Sequence, residues 1–315
     1  MTDATGPSVS IVIPTYNEEA DIARCLDGAV SLDPPADEII VVDDGSVDGT
    51  LGIVGGYAER FGIAVLRQPQ NRGVAAARNR GLREATGEIV VILNADVMLP
   101  KDFLPAVLRH YAEGADFVLV QSRVANDDAL FPRYIEAQHH AWYDHRDDIV
   151  WTEGFSCRRA AALAVGLFDE HFPGASGEDA VFGERLEQGY RKVIDRSIVV
   201  THIAPSTLRE FWRQRRGRGR GWPFRLYYVD RVPLEVIRYY LVGVCVWSVG
   251  QLLTVVPFVR TAARLARFDR RGRRAIPGFT LAAIVEHVAH RQGEVRAYRE
   301  IARRRSADAA TRTST

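Results

Sequence analysis

Short apolar runs rich in valine and isoleucine alternate with amphipathic stretches along the first hundred residues of the chain. Runs of this kind, bounded by polar residues or glycine, are typical of strands buried on both faces of a sheet. The stretches between them have apolar residues at helical spacing, so the pattern predicts an α/β fold with a largely parallel, doubly wound sheet. The predicted strands are residues 8–14, 37–46, 62–69 and 88–96, and the predicted helices are residues 17–30, a helix from about Asp48, and residues 71–87.

The regular alternation stops after residue 100. The pattern there predicts a helix over 101–113, a strand over 115–123 and a helix over 133–145. Another helix is expected to begin near Glu178, because its acidic first turn suits the helix dipole, and two short strands follow it. We expect this first domain to span residues 1–205.

Polar side chains follow three of the predicted strands, at the point where each strand ends. The carboxyl ends of parallel strands meet at one edge of a sheet, where ligands bind in open α/β folds. We therefore expect these side chains to converge on one crevice. They are Thr15 and Asn17, then Asp43 and Asp44, then Asn94 and Asp96.

Charge is distributed unevenly along the 315 residues. The chain has a net charge of +1, yet residues 206–315 contain 23 arginines and 8 acidic residues. Such asymmetry indicates an anionic partner for the last third, either nucleic acid or a phospholipid surface. The three cysteines are far apart, which argues against a disulfide framework or a zinc site and favours a reducing cytosol. The first residues lack the features of a signal peptide, so we expect the first domain to stay in the cytoplasm.

Five motifs in the first domain occur in a specific order and spacing: "VSIVIPTYNEE", "EIIVVDDGSVDGT", "NRGVAAARNRGL", "NADV" and "GEDAVFGERLEQGY". Together they resemble family 2 glycosyltransferases of the GT-A fold, in particular the membrane-associated bacterial and archaeal types, over residues 8–205. The resemblance implies a Rossmann-like domain that binds a nucleotide sugar, such as a UDP-sugar or GDP-sugar. It also implies a divalent cation, Mn²⁺ or Mg²⁺, and an inverting transfer.

The resemblance assigns the donor-binding residues. Asp44 would accept a hydrogen bond from the N3–H of uracil, although "DDGS" is also an ordinary strand-to-helix turn. Arg72 and Arg78 would reach phosphate oxygens, whereas surface arginines are by default solvated. The full donor-binding set is Pro14, Thr15, Tyr16, Glu18, Asp44, Arg72, Arg78, Asn94 and Ala95.

The resemblance also assigns the metal ligands and the base. Asp96 is the candidate metal ligand, and His202 would complete the metal site. The family motif is usually Asp-x-Asp, but here Asn94 stands at its first position; an amide can bond a ribose hydroxyl but adds no charge. Asp179 would accept the proton of the attacking hydroxyl, and Glu178 would orient the acceptor. The alternative for both acids is a favourable first helical turn.

The last third divides by composition into an Arg/Gly-rich interfacial segment (206–238), an uncharged apolar segment (239–259) and a basic amphipathic helical tail (260–315). The apolar segment is long enough to span a membrane, but arginines flank both of its ends and Pro257 permits a bend. A single span, a re-entrant hairpin and a buried helix of a soluble domain therefore stay open. Five arginines are candidates for contact with the membrane or the acceptor: Arg213, Arg215, Arg216, Arg218 and Arg220.

These observations favour an inverting glycosyltransferase at the cytoplasmic face of the cell membrane, in envelope glycan synthesis. Its acceptor would be a hydroxyl of a lipid-linked glycan or glycolipid, because a hydroxyl needs a base such as Asp179. A polyprenyl-phosphate glycosyltransferase and a non-catalytic, membrane-bound nucleotide-sugar-binding protein are the alternatives. An RNA-binding role for a disordered Arg-Gly tract is a third reading, which we disfavour because an apolar segment follows the tract.

Overall fold

The computed structural model describes residues 6–148, 150–172 and 174–313; for residues 308–313 it describes the backbone alone. The chain forms two compact units. The first comprises the chain up to Ala125, Asp144–Glu170 and Glu178–Ile203; the second comprises Asn126–Tyr143, His171–Gly177 and the chain from Ala204 onward.

In chain order the elements are β1 (Val9–Thr15), α1 (Ile22–Val30), β2 (Glu38–Asp43), α2 (Thr50–Phe61), β3 (Ala64–Arg67), α3 (Val74–Glu84), β4 (Ile89–Ile92), β5 (Val97–Met98), α4 (Phe103–Ala112), β6 (Phe117–Val124), α5 (Leu130–Gln138), β7 (Phe155–Arg158), α6 (Arg159–Ala164), α7 (Glu178–Glu187), β8 (Lys192–His202), α8 (Leu208–Gly219), α9 (Gly221–Phe224), α10 (Leu234–Thr254), α11 (Val256–Leu265) and α12 (Ile276–Thr313).

The first unit contains a mixed eight-stranded sheet with the order β3-β2-β1-β4-β7-β6-β8-β5. The first four strands of the chain pair in parallel, which confirms the predicted doubly wound half. β7 is antiparallel to β4 and to β6, and β5 is antiparallel to β8. Among the described strands outside that half, β6 and β8 pair in parallel, with an irregularity in register after Val120.

Strands β1 and β4 are buried on both faces, because successive side chains point to opposite sides of the sheet and helices cover each side. Ile11 and Ile13 pack into the hydrophobic cluster that includes α1 and α4. Val12 packs into the other cluster, which includes side chains of α3, α6 and α7. Helix α3 approaches the sheet at Gly81, where an added Cβ would lie 2.2 Å from Cγ1 of Val12. This arrangement explains why the strands read as continuous apolar runs.

Two helices begin later than the sequence predicted. Helix α1 begins at Ile22 instead of residue 17, and α3 begins at Val74 instead of residue 71. The polar residues before each helix bond to a neighbouring loop instead of continuing the helix. The predicted pair of short strands after α7 is one eleven-residue strand, β8.

The second unit packs around aromatic side chains. The ring of Phe131 stacks on Phe211 with centroids 4.5 Å apart, and Tyr134 meets Phe279 edge-on. Because these rings join α5 to α8 and α12, residues 126–143 belong to this unit, whereas the first domain was predicted to run to residue 205. Nε of Arg133 also lies 2.8 Å from Oδ2 of Asp269, a buried ion pair within the same unit.

The Arg/Gly-rich tract is helical. α8 begins with a capping box, in which the Thr207 hydroxyl accepts from the Glu210 amide and the Glu210 carboxylate accepts from the Thr207 amide. Two glycines of the tract lie against backbone atoms: an added Cβ at Gly219 would be 2.2 Å from the His290 carbonyl oxygen, and one at Gly221 would be 1.5 Å from that of Ser176. The tract is therefore a packed segment, which removes the basis for reading it as a disordered RNA-binding tract.

The apolar segment predicted over 239–259 is divided between two helices. α10 ends at Thr254, Val255 adopts a left-handed backbone with φ of 57°, and Pro257 lies in the first turn of α11. Among the residues that the structure describes, α10 is the one helix that is long and apolar enough to cross a membrane.

The basic tail predicted over 260–315 begins within α11, which ends at Leu265, and continues from Ile276 as the long helix α12. Several apolar side chains of α12 are buried, among them Phe279, Ala289, Ala297 and Ile301, whereas Leu281 is exposed. The tail thus packs within the second unit along most of its length.

Candidate functional site

The loop that follows β1 is held to the loop that follows β2. The Asn17 amide donates to Oγ of Ser46 at 3.0 Å, and the Asn17 side chain accepts from the Val47 amide at 2.9 Å. The Glu18 amide donates to Oγ1 of Thr50 at 2.8 Å. Asn17 has a positive φ of 56°, which asparagine tolerates better than most residues. These bonds hold residues 16–19 at the carboxyl edge of the sheet, where Tyr16 is exposed.

Asp44 is buried and holds the loop before α3. Its carboxylate accepts from the backbone amides of Arg72 and Gly73, each at 2.8 Å, and from Nε2 of Gln68 at 3.0 Å. Burial raises the pKa of Asp44, and the two amide hydrogen bonds oppose that rise. The Thr15 carbonyl accepts from the Asp44 amide at 2.8 Å, so Thr15 and Asp44 are neighbours as the sequence predicted.

Arg78 lies inside the first unit. Its guanidinium donates to Oε1 of Glu178 at 2.6 Å and to Oδ1 of Asn94 at 3.0 Å. It also donates to Oγ1 of Thr152 at 2.9 Å. A donor phosphate could take the place of these acceptors only if the bonds broke. By contrast, the side chain of Arg72 is exposed, with Nη2 3.3 Å from Oε2 of Glu170.

Asp96 and His202 are brought together by the short pair of strands β5 and β8. Val97 pairs with His202 in antiparallel register, and the Ile203 amide donates to the Asp96 carbonyl at 3.0 Å. Glu18 is also close: burial and the charge of Asp96 raise its pKa to about 8. Carboxylate and imidazole ligands fit Mn²⁺, and a bound cation would offset the repulsion between the Glu18 and Asp96 carboxylates. No group of three acidic, histidine or cysteine side chains is close enough to hold a metal in the described part of the chain.

Asp179 lies in the first turn of α7, half-buried, and its Oδ1 accepts from the Ala180 amide at 2.9 Å. Burial raises its pKa to about 7; the charges of Glu178 and Glu153 add to this rise, whereas Arg78 opposes it. A carboxyl group with such a pKa can exchange protons near neutral pH.

Ala95 and Pro14 lie at the ends of β4 and β1, both buried.

Sequence reasoning missed Thr152 and Glu153. Both affect site residues: Thr152 accepts from Arg78, and Glu153 raises the pKa of Asp179. The only signal was the Thr-Glu-Gly triplet just before β7, which the sequence analysis did not single out.

The five arginines predicted to contact a membrane or acceptor differ in their surroundings. Arg215 is buried, with Nη1 3.2 Å from Oε1 of Glu286 and Nη2 3.2 Å from Oε1 of Gln138. Arg220 forms an ion pair with Glu300. Arg213 and Arg218 are exposed, and Arg216 is partly exposed.

The family model described as glycosyl transferase family 2 matches residues 10–172, just over half of the chain. The chain belongs to this family. The structural neighbours and the mixed sheet agree in placing it in the GT-A fold.

Two curated relatives and one solved structure illustrate the similarity. The chain is 29% identical to the pre-mycofactocin glycosyltransferase of Mycobacterium tuberculosis over 290 residues, which cover 84% of this chain and 59% of that protein. It is 27% identical to the glycosyltransferase AglE of Haloferax volcanii over 244 residues, 74% of this chain and 78% of that protein. The chain therefore spans somewhat more than half the length of the mycobacterial relative.

The solved structure is the mannosyltransferase PcManGT from Pyrobaculum calidifontis, in complex with GDP-Man and Mn²⁺. It superposes with a TM-score of 0.60 at 24% identity, covering 90% of this chain and 88% of that one. At this identity the likeness establishes the fold.

Proposed function

We propose that the protein is an inverting, metal-dependent glycosyltransferase that uses a nucleotide-diphosphate sugar. The observation that carries the proposal is the bridge formed by Arg78, whose guanidinium bonds both Asn94 and Glu178. This bridge joins the "NAD" motif at the end of β4 to the "GED" motif at the start of α7. A donor-binding strand end and a candidate base thereby lie in one site.

Asp179 is the group that we assign as base. The acceptor hydroxyl oxygen attacks the anomeric carbon, and the bond from that carbon to the diphosphate breaks with its electron pair on the diphosphate. Asp179 takes the hydroxyl proton, a role that its pKa of about 7 suits. Glu178 is held by Arg78 and positions the turn that carries Asp179.

Asp96 and His202 are the two residues that would hold Mn²⁺ or Mg²⁺. A bound divalent cation would neutralise negative charge on the diphosphate leaving group. The Mn²⁺ bound in the P. calidifontis mannosyltransferase supports this assignment. Asn94 is bonded to Arg78 here, so its amide is oriented at the same edge.

For the acceptor we infer a hydroxyl of a lipid-linked glycan or glycolipid at the cytoplasmic face of a membrane. A hydroxyl requires a base, whereas a phosphate acceptor is already ionised at neutral pH. The exposed apolar surface of α10 supports a membrane location, since side chains such as Tyr239, Val246 and Leu253 are largely exposed there.

The test uses the full chain purified in detergent. A panel of UDP- and GDP-sugars is supplied with Mn²⁺ or with EDTA, together with polyprenyl phosphate or a polyprenyl-diphosphate-linked sugar. We expect transfer to the sugar hydroxyl, dependent on Mn²⁺ and lost in Asp179→Asn. Transfer to bare polyprenyl phosphate, undiminished in that variant, would favour the alternative acceptor. Donor binding without turnover on any acceptor would favour a non-catalytic nucleotide-sugar-binding protein.

A further inference from the structure

A cleft of about 520 Å³ lies between α8 and α12 in the second unit. Arginine dominates its lining: Arg216 contributes from α8, and Arg296, Arg299 and Arg303 contribute from α12, where Glu300 is the one acidic neighbour. Arg216 is one of the five arginines predicted to contact a membrane or acceptor, whereas the other lining residues take no part in the candidate active site described above. The cleft therefore calls for an explanation of its own.

Helical spacing and close backbone packing build the cleft. Residues 296, 299 and 303 are three and four positions apart, so they lie on one face of α12. The two helices approach closely at Gly293, where an added Cβ would lie 2.2 Å from the Arg216 carbonyl oxygen. Gly219 makes the reciprocal approach to His290. These contacts fix the backbone of Arg216 beside the arginine face of α12.

Glu300 does not neutralise the positive charge of the arginines that line the cleft. The Glu300 carboxylate already accepts from Arg220 and, at 2.7 Å, from Arg304, so it is committed to two other arginines. Among the residues whose side chains the structure describes, Arg296, Arg299 and Arg303 have no ion-pair partner. Like charges at this spacing repel each other in an isolated helix. An anion in the cleft would remove that repulsion.

The same end of α12 contacts the start of the apolar helix α10. Nη1 of Arg305 lies 3.1 Å from Oε1 of Glu235, which is in the first turn of α10. Apolar side chains follow directly, with Val236 and Tyr239 more than half exposed. A cationic cleft next to an exposed apolar helix suits a phosphate group joined to an apolar chain, since each part of such a molecule meets a matching surface.

We propose that this cleft binds a phosphate or diphosphate group. Arginine recognises phosphate oxygens through paired N–H donors, which gives it both charge and geometry for this ligand. The phosphate could belong to a lipid headgroup or to a soluble phosphate ester, and the experiment separates these sources. The inference goes beyond the proposed transfer reaction, because every residue that carries it belongs to the second unit.

The test uses the full-length protein in detergent. Binding of inorganic pyrophosphate is measured by calorimetry, and binding to phosphatidylcholine vesicles with and without phosphatidylglycerol is measured by flotation. The cleft variant is Arg299→Gln/Arg303→Gln. The matched control is Arg273→Gln/Arg274→Gln, which removes the same charge from two exposed arginines outside the cleft. We expect the cleft variant to bind roughly 30-fold more weakly, about 1 kcal/mol for each arginine, and the control to bind as wild type.

The probes identify the source of the phosphate. A loss confined to pyrophosphate supports a soluble phosphate ester, and a loss on anionic vesicles supports a lipid headgroup. A variant with Arg299→Lys/Arg303→Lys keeps the charge but loses the paired N–H donors, so it should bind more tightly than the cleft variant and more weakly than wild type. Unchanged thermal unfolding would exclude loss of the fold. The proposal is overturned if wild type binds neither probe, or if the control variant loses as much binding as the cleft variant.

Discussion

Arg78 and Glu178 form a buried ion pair: Nη1 of Arg78 lies 2.6 Å from Oε1 of Glu178, and each side chain is only 2% exposed. A buried ion pair is costly to form, because both charges leave water. Its partners limit that cost here, since the same guanidinium also bonds Asn94 and Thr152. The pair is therefore stable only while Arg78 keeps all of its acceptors. Removing either Arg78 or Glu178 would leave the other charge buried without a counter-charge and would destabilise the fold.

The first prediction concerns this pair. Arg78→Met should lower the free energy of unfolding of the first unit by roughly 3–5 kcal/mol, because the Glu178 carboxylate stays buried without a counter-charge. Arg72→Met is the control: its side chain is 57% exposed and 3.3 Å from Glu170, so the change should cost less than about 1 kcal/mol. Urea unfolding followed by circular dichroism measures both. Equal small losses would contradict a structural role for Arg78.

A second prediction follows from the pKa of Asp179, which burial raises to about 7. A general base works only when it is deprotonated, so transfer should fall about tenfold for each pH unit below 7 and level off above it. Asp179→Asn should reduce transfer on the order of 10²–10⁴-fold and remove this pH dependence.

The control for the base is Asp102→Asn. Asp102 lies just before α4, is exposed and makes no capping bond, so its loss should leave transfer unchanged. A wild-type profile that stayed flat from pH 5 to 8 would contradict the assignment of Asp179.

The sequence predicted the parallel half of the sheet and the clustering of its polar strand ends, because both follow from local periodicity and from the common direction of the strands. It did not predict where α1 and α3 begin, since those limits depend on bonds between loops, such as those from the Arg72 and Gly73 amides to Asp44. Nothing local to Arg78 distinguishes it from a solvated arginine. Its burial depends on acceptors that lie far away in the chain, namely Asn94, Thr152 and Glu178.

The Arg-Gly tract illustrates the same limit. Composition left open a disordered basic segment, which we disfavoured, but it did not distinguish the glycines: Gly217 has open space around it, and Gly219 touches the His290 backbone. The position of the partner helix α12 decides which glycine makes a close contact. The sequence of the tract alone does not show that position.

A third prediction concerns the metal. Asp96→Ala should abolish donor binding that depends on Mn²⁺, because it removes the candidate carboxylate ligand. Asn94→Asp should retain or strengthen that binding, since it adds a carboxylate that can still accept from Arg78. The unfolding temperature of each variant is measured with donor, in the presence and absence of Mn²⁺, because a bound donor stabilises the folded state. Normal Mn²⁺-dependent stabilisation in Asp96→Ala would place the metal elsewhere.

The glycines of α8 give a fourth prediction. Gly219→Ala should destabilise the second unit by roughly 1–3 kcal/mol, since its Cβ would lie 2.2 Å from a backbone oxygen that cannot easily move. Gly217→Ala in the same helix has open space and should be neutral, or stabilising by up to about 1 kcal/mol through helix propensity. Thermal unfolding compares them. Similar effects for both changes would show that α8 and α12 do not meet at Gly219.

The last prediction concerns α10, because an exposed apolar helix is stable only if something covers it. Val246 lies near the middle of the helix and is 68% exposed. If the surface of α10 enters a bilayer, Val246→Asp places a charge in hydrocarbon at a cost of roughly 2.5–3.5 kcal/mol. We therefore expect this variant to float with vesicles far less than wild type in high salt, where attraction between arginines and headgroups is screened.

The matched control is Leu163→Asp, which replaces an exposed apolar side chain on α6 of the first unit with the same charged residue. It should float as wild type does, because the first unit is not expected to enter the membrane. High salt matters for the interpretation: binding through the arginines alone would be lost there in wild type and in both variants. Wild-type flotation that persisted in high salt and was unaffected by Val246→Asp would show that the apolar surface of α10 is covered by protein instead of lipid.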